Sequence, residues 1–161
     1  MFMKILKVGA LVLVAGFIII QFFQIDKANP PTDETQTLES TTQIPPDINM
    51  ILATSCNDCH SHKTTYPWYA NIQPSGWFLK DHINHGREHL NFSIWNTYDL
   101  KKRKKKMDEI CEEVKSARMP LPSYLWIHGD AVLTESQAKA LCDWAKAEED
   151  RLDTLRDDEK K

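Results

Sequence analysis

Glycine is scarce, five residues in all, and none falls in a G-x-G-x-x-G or G-x-x-x-x-G-K-[ST] pattern. No loop is therefore available to cradle a dinucleotide or a nucleoside triphosphate. Charge of one sign is also lacking: Lys and Arg total 20 against 23 Asp and Glu, a formal net charge of −3. That removes the electrostatic reason to expect a nucleic-acid partner. Convincing two-residue alternation of apolar and polar side chains is absent, as is any internal repeat, which argues against a sheet-built or solenoid fold. All five tryptophans lie after residue 67, so the core is expected from the C-terminal two-thirds. A length of 161 residues suits one ordinary domain rather than two.

What is present begins with a long apolar run. Lys4 and Lys7 precede a stretch from Val8 to Ile20 with nothing polar in it. From Ile5 to Phe23, a helix rising about 1.5 Å per residue would reach about 28 Å, close to the hydrocarbon thickness of a bilayer. A cleaved secretory signal would end in a small-x-small site, whereas this run ends in Gln-Phe-Phe-Gln. The favoured reading is an uncleaved anchor over 1–23, with the lysines inside and the remainder exported. Residues 24–46 are rich in Pro, Thr, Ser, Asp and Glu, and such a composition buries too little to repay its ordering entropy. They are expected to be a disordered tether, spanning about 25–29 Å on average. The exported domain is then 47–161.

That domain is expected to be all-α. Asp47 is a candidate N-cap, followed at helical spacing by Ile48, Ile51 and Leu52. Ser75 opens a second helix that places Phe78, His82, His85 and His89 on one face. Met107, Ile110, Cys111 and Val114 recur every three or four residues, giving a third helix that stops before Pro120. Thr134 with Gln137 forms a capping box for a fourth, whose Ala138, Leu141, Cys142 and Ala145 turn inward.

One motif carries the chemistry: Cys56-Asn57-Asp58-Cys59-His60 is C-x-x-C-H, the attachment signature of c-type haem. Two thiols at this spacing can each form a thioether on one porphyrin edge, and the adjacent imidazole is then held beneath the iron as its proximal ligand. A zinc site would want a second ligand pair, which Cys111 and Cys142 do not make. A redox dithiol would want a β-α-β setting. A plain Cys56–Cys59 disulfide leaves His60 unexplained.

The C-H-S, Y-P-W-Y, G-R-E-H-L-N-F-S and M-P-L-x-x-Y segments, spread over residues 47–147, resemble the haem-binding domain family of exported bacterial c-type cytochromes. The resemblance implies one covalently bound haem c in a small, cytochrome-c-like helical domain. The chain departs from the family pattern at His62, where Asn is expected, and in Cys111 and Cys142.

For the second axial position, Met119 in Arg-Met-Pro-Leu-Pro is the favoured ligand, because prolines hold the loop that presents its thioether. His82, His85 and His89 are the rivals, and packing is the plain alternative for Met119. His128 is expected to hydrogen-bond within a loop. Tyr66, Trp68, Tyr69 and Trp77 are expected around a haem edge or in the core, and Arg87 beside a propionate or in a surface ion pair. The basic run from Lys101 to Lys106 is either a solvated face or a docking site for an acidic redox partner or anionic lipid. Cys111 and Cys142 form either a disulfide or two buried thiols. Together these observations point to a monohaem c-type cytochrome, anchored in the inner membrane with its haem domain in the periplasm. It would carry electrons between redox partner proteins rather than catalyse. The alternative is a pentacoordinate haem acting on peroxide or a small gas, with His85 or Arg87 as the polarising group.

Overall fold

The structure, a computed structural model, describes residues 1–158. Among them there are helices and single 3-10 turns but no strands. The helices are α1 (Phe2–Ile20), α2 (Pro46–Ser55), α3 (Asn57–His60), α4 (Ser75–His89), α5 (Leu100–Lys115), α6 (Pro122–Leu125) and α7 (Glu135–Asp158). The all-α expectation holds.

Helix α1 is 19 residues long, as counted from the sequence, but lies three residues earlier than the apolar run suggests. Its last turn tightens into i→i+3 bonds, with the Phe22 and Phe23 amides donating to the Ile19 and Ile20 carbonyls. No residue of it is buried, and its length and composition suffice to cross a membrane.

The stretch 24–46, expected to be a tether, instead packs along the domain. Leu38 is 1% exposed and joins the main core, Ile25 packs on a second cluster, and Thr42 Oγ1 donates to Glu148 at 3.1 Å. Composition understated how far a few anchors can order a polar segment. Asp33 caps one 3-10 turn through the Thr35 amide, and Asn96 Nδ2 donates to the Thr35 carbonyl at 2.8 Å.

Helix α2 starts at Pro46, one residue before the expected cap. Proline suits this position because the first-turn amide has no helical partner to lose. Ile48, Ile51 and Leu52 are buried as their spacing requires. Asp99 accepts from the Lys102 amide at 2.7 Å and so starts α5 ahead of its apolar stripe, drawing the basic run into the first two turns. There Lys104 pairs with Asp153 at 2.5 Å and Lys106 with Glu109 at 2.6 Å, while Lys102 lies 3.9 Å over the Tyr98 ring. The run is thus partly neutralised within the fold rather than wholly solvated. The capping box of α7 forms as read, with the Gln137 amide donating to Thr134 Oγ1 and the Thr134 amide to Gln137 Oε1.

Helices α5 and α7 pack side by side over Met107, Ile110, Leu141, Trp144 and Ala145, and are joined by a Cys111–Cys142 disulfide. A buried Leu or Ile side chain contributes about 1.5–3 kcal/mol here, so this pair and α2 form the main body of the core. Ala70, Leu79 and Ile83 make a smaller cluster beneath α4.

Candidate functional site

The residues of C-x-x-C-H lie between α2 and α4. Helix α2 ends at Ser55, Cys56 leaves the helical region, and α3 resumes from Asn57 to His60 as a single turn. This break faces both thiols and the imidazole to one cavity of about 640 Å³, which they line with Met119 and Tyr124. Such a volume lies in the range of cofactor pockets.

Helix α4 closes the cavity by backbone approach. A Cβ at Gly86 would stand 2.7 Å from the Cys59 carbonyl oxygen, so only glycine lets α4 lie this close to α3. The approach brings a carbonyl of α4 and that of its C-cap residue to His60: Nδ1 lies 3.1 Å from Gly86 O and 3.0 Å from Leu90 O. A carbonyl only accepts, so Nδ1 carries the proton and Nε2 keeps its lone pair. Burial pushes the His60 imidazole below its ordinary pKa, against the opposing effect of those two hydrogen bonds, and keeps the ring neutral. A neutral imidazole with a free Nε2 and its other nitrogen held by a carbonyl is what a metal-ligating histidine requires.

The thiols are neutral as well. Burial raises Cys56 to about 12, with the neighbouring Cys59 adding to it, and raises Cys59 to about 11, assisted by Asp58 and opposed by Arg87. Neither is bonded to the other.

Met119 reaches the cavity through the way α5 ends. Ala117 takes a left-handed φ of 53°, and the Arg118 and Met119 amides both donate to the Glu113 carbonyl, at 3.0 and 3.2 Å. This reversal turns the chain back against the helix and delivers the thioether to the lining. His82, His85 and His89 border the same cavity. His82 Nδ1 is engaged with the Phe78 carbonyl at 2.8 Å and His85 with Asp81 at 3.4 Å.

Several expected neighbours lie elsewhere. Arg87 points away from the lining, donating to the Ser61 carbonyl, Thr64 Oγ1 and Asn29 Oδ1. It pins the loop after C-x-x-C-H and, among the described residues, makes no ion pair. His62 meets the Pro31 carbonyl through Nδ1 and Asn91 through Nε2. Tyr66 and Tyr69 pack on the small cluster, while Trp68 and Trp77 are exposed; none of the four lines the cavity. Of the two places expected for them, Tyr66 and Tyr69 take the core, packing with Leu79 and Ile83 of α4, and the tryptophans take neither.

Two participants carried no individual signal in the sequence. Tyr124 of α6 donates to Asp58 Oδ2 at 3.0 Å and stacks on His128, with centroids 4.0 Å apart and planes 6° from parallel. His128 Nε2 in turn meets the Tyr69 hydroxyl at 2.9 Å. Asp58, within the motif, and Tyr124, the last residue of M-P-L-x-x-Y, thereby clamp the two segments together. Only that motif spacing hinted at their pairing.

Two thiols, a neutral imidazole with one nitrogen free, and a thioether around one apolar-walled cavity fit a haem group better than a hard metal ion. Among the described residues no cluster of three or more His, Cys, Asp or Glu could hold a metal ion by itself. The class this defines is a helical haem protein. The chain belongs to the haem-binding domain family, whose family model matches residues 15–147. That span starts inside α1 and includes the segment 24–46, in keeping with its packing on the domain. No curated protein and no solved structure matches the chain.

Proposed function

We propose that this chain is a membrane-anchored monohaem c-type cytochrome that carries electrons in the cell envelope, with Cys56 and Cys59 as haem attachment points and His60 as proximal ligand. Each thiol S–H would add across a vinyl double bond, forming an S–C bond and placing the hydrogen on the neighbouring carbon, with no net redox change. The observation that carries the reading is the imidazole of His60: Nδ1 is held by the Gly86 and Leu90 carbonyls, and Nε2 is free on the same cavity as both thiols.

Met119 is the residue proposed to hold the iron together with His60, through its thioether. It is the lining's thioether, and the backbone bonds to Glu113 hold its loop independently of any ligand. Bound haem would supply a one-electron iron centre, and His/Met ligation raises its potential. This chain's own residues position it: α4 orients His60, and Tyr124 with Asp58 ties the Met119 segment to the motif. Of the two polarising groups expected for a peroxide-active site, Arg87 is held away from the cavity by Ser61 and Thr64, while His85 borders it and is paired with Asp81. An electron carrier in the inner membrane, with its domain in the periplasm and redox proteins as partners, follows from this reading and from Lys4 and Lys7 at the start of α1.

The test is the visible spectrum of the protein matured with a c-type haem system, before and after acid-acetone extraction. Haem that resists extraction, with a low-spin spectrum and a sulfur-to-iron charge-transfer band in the oxidised state, supports the reading. Met119→Ala is expected to abolish that band while the haem stays covalently bound. An unchanged band removes Met119 as ligand, and fully extractable haem overturns the c-type assignment.

A further inference from the structure

The end of α1 is hydrogen-bonded to the domain rather than hinged to it. Gln21, the first residue past the helix, donates from Nε2 to the Gln73 carbonyl at 3.0 Å and accepts from the Gln73 amide at 2.8 Å through Oε1. Trp77 Nε1 donates to the Phe23 carbonyl at 2.8 Å, Lys80 Nζ to the Asp26 carbonyl at 2.9 Å, and Gln24 Nε2 to the Asn71 carbonyl at 3.3 Å. Ile25 packs against Leu79 and Ile83. Gln73 itself is fully buried.

This clamp has a geometric consequence. If α1 spans the bilayer, its 19 residues cover about 28 Å, and Gln21 and Phe23 stand at the hydrocarbon boundary. Gln73 and Trp77 are hydrogen-bonded to those two, so the stretch they belong to must lie at nearly the same depth. That stretch and its neighbour are unusually apolar for surface: Trp68 is 70% exposed, Phe78 57%, Trp77 40% and Ile72 39%. Tryptophan with an apolar ring and a satisfied N–H is the residue that settles at the headgroup level.

We propose that Trp68, Ile72, Trp77 and Phe78 form a docking face that seats the domain on the lipid interface of the membrane α1 crosses. The proposal rests on α1 being an uncleaved membrane anchor. The domain is then held at a fixed attitude against the bilayer, not suspended from it, and a redox partner would have to meet it from a restricted direction. The occupant is the lipid surface, because the face is continuous with the end of the spanning helix and its anchoring bonds leave no slack in which to turn away.

The experiment uses the full chain, haem-loaded and reduced, in phosphatidylcholine nanodiscs with and without lipid carrying a nitroxide near the top of its acyl chain. Indole N–H signals are assigned by single Trp→Phe variants. Trp68 and Trp77 are expected to lose intensity with the nitroxide, while Trp95, which is fully buried, and Trp144, 9% exposed, keep theirs. Backbone signals of α1 report insertion independently. If α1 is broadened and Trp68 and Trp77 fare no differently from Trp95, the domain stands clear of the lipid and the docking face is overturned. If α1 is unaffected too, the anchor reading falls and the docking face with it.

Discussion

The smallest decisive feature is a missing side chain. Helical glycine ordinarily costs about 1 kcal/mol against alanine, yet Gly86 is where α4 meets the Cys59 backbone. We expect Gly86→Ala to reverse the usual sign and destabilise by about 1–3 kcal/mol, as overpacking does. Chemical denaturation measures this, and the variant should also retain less haem because His60 loses its seat. A stabilised Gly86→Ala protein would mean that α3 and α4 are not in this contact. The signature residues themselves were legible: C-x-x-C-H names two thiols and an imidazole without help from the fold. Their protonation was not, because burial keeps Cys56, Cys59 and His60 neutral and carbonyls 26 and 30 residues away place the His60 proton on Nδ1. Neither Arg87 nor His62 could be placed from sequence, since each is claimed by the 24–46 segment or the loop it adjoins.

Among the elements, α5 and α7 supply the frame and the Met119 loop its exit. The Cys111–Cys142 disulfide closes a 31-residue separation, for which loop-closure entropy amounts to about 3–4 kcal/mol. Cys111→Ala/Cys142→Ala should lower unfolding free energy by about that amount in urea titrations, with the haem spectrum of the folded protein unchanged. The end of α5 adds a pH dependence. Arg118 hydrogen-bonds to Glu113 at 2.8 Å and holds its carboxyl below the ordinary value of 4.5. A lowered carboxyl pKa stabilises the fold fully above the unfolded value, and that contribution disappears as pH falls through the folded one. Between about pH 5 and pH 3 the wild type should therefore lose more stability than Arg118→Ala. Equal loss, read from urea midpoints across that window, would show that the pair makes no difference to the fold. Helical spacing predicted α2, α4 and α7 well. It missed the early start of α5 because a run of lysines looks solvated until Asp99 caps it.

At the scale of the whole molecule, the segment 24–46 joins the apolar helix α1 and the domain into one body. Lys27 pairs with Asn71, Asn29 Nδ2 donates to the Thr64 carbonyl at 2.9 Å, and Leu38 is buried in the core. Trypsin acting on the folded protein is expected to leave the bond after Lys27 intact, since cleavage requires local opening of several residues. Early cutting there, followed by mass spectrometry, would restore the tether. Proteolysis thus tests on the soluble side what the lipid experiment tests at the membrane.

The amino-acid sequence alone determined the helical class, the apolar span of α1 and the two thiols and imidazole of C-x-x-C-H, because periodicity, run length and residue type are local properties. The tertiary structure alone decided what those residues face. Which nitrogen of His60 is free depends on the Gly86 and Leu90 carbonyls, delivered by α4 and the residue that ends it. That Met119 shares the cavity depends on how α5 ends, and that 24–46 packs on the domain depends on partners up to 110 residues away. Such contacts are made between segments, and no single stretch of sequence contains them.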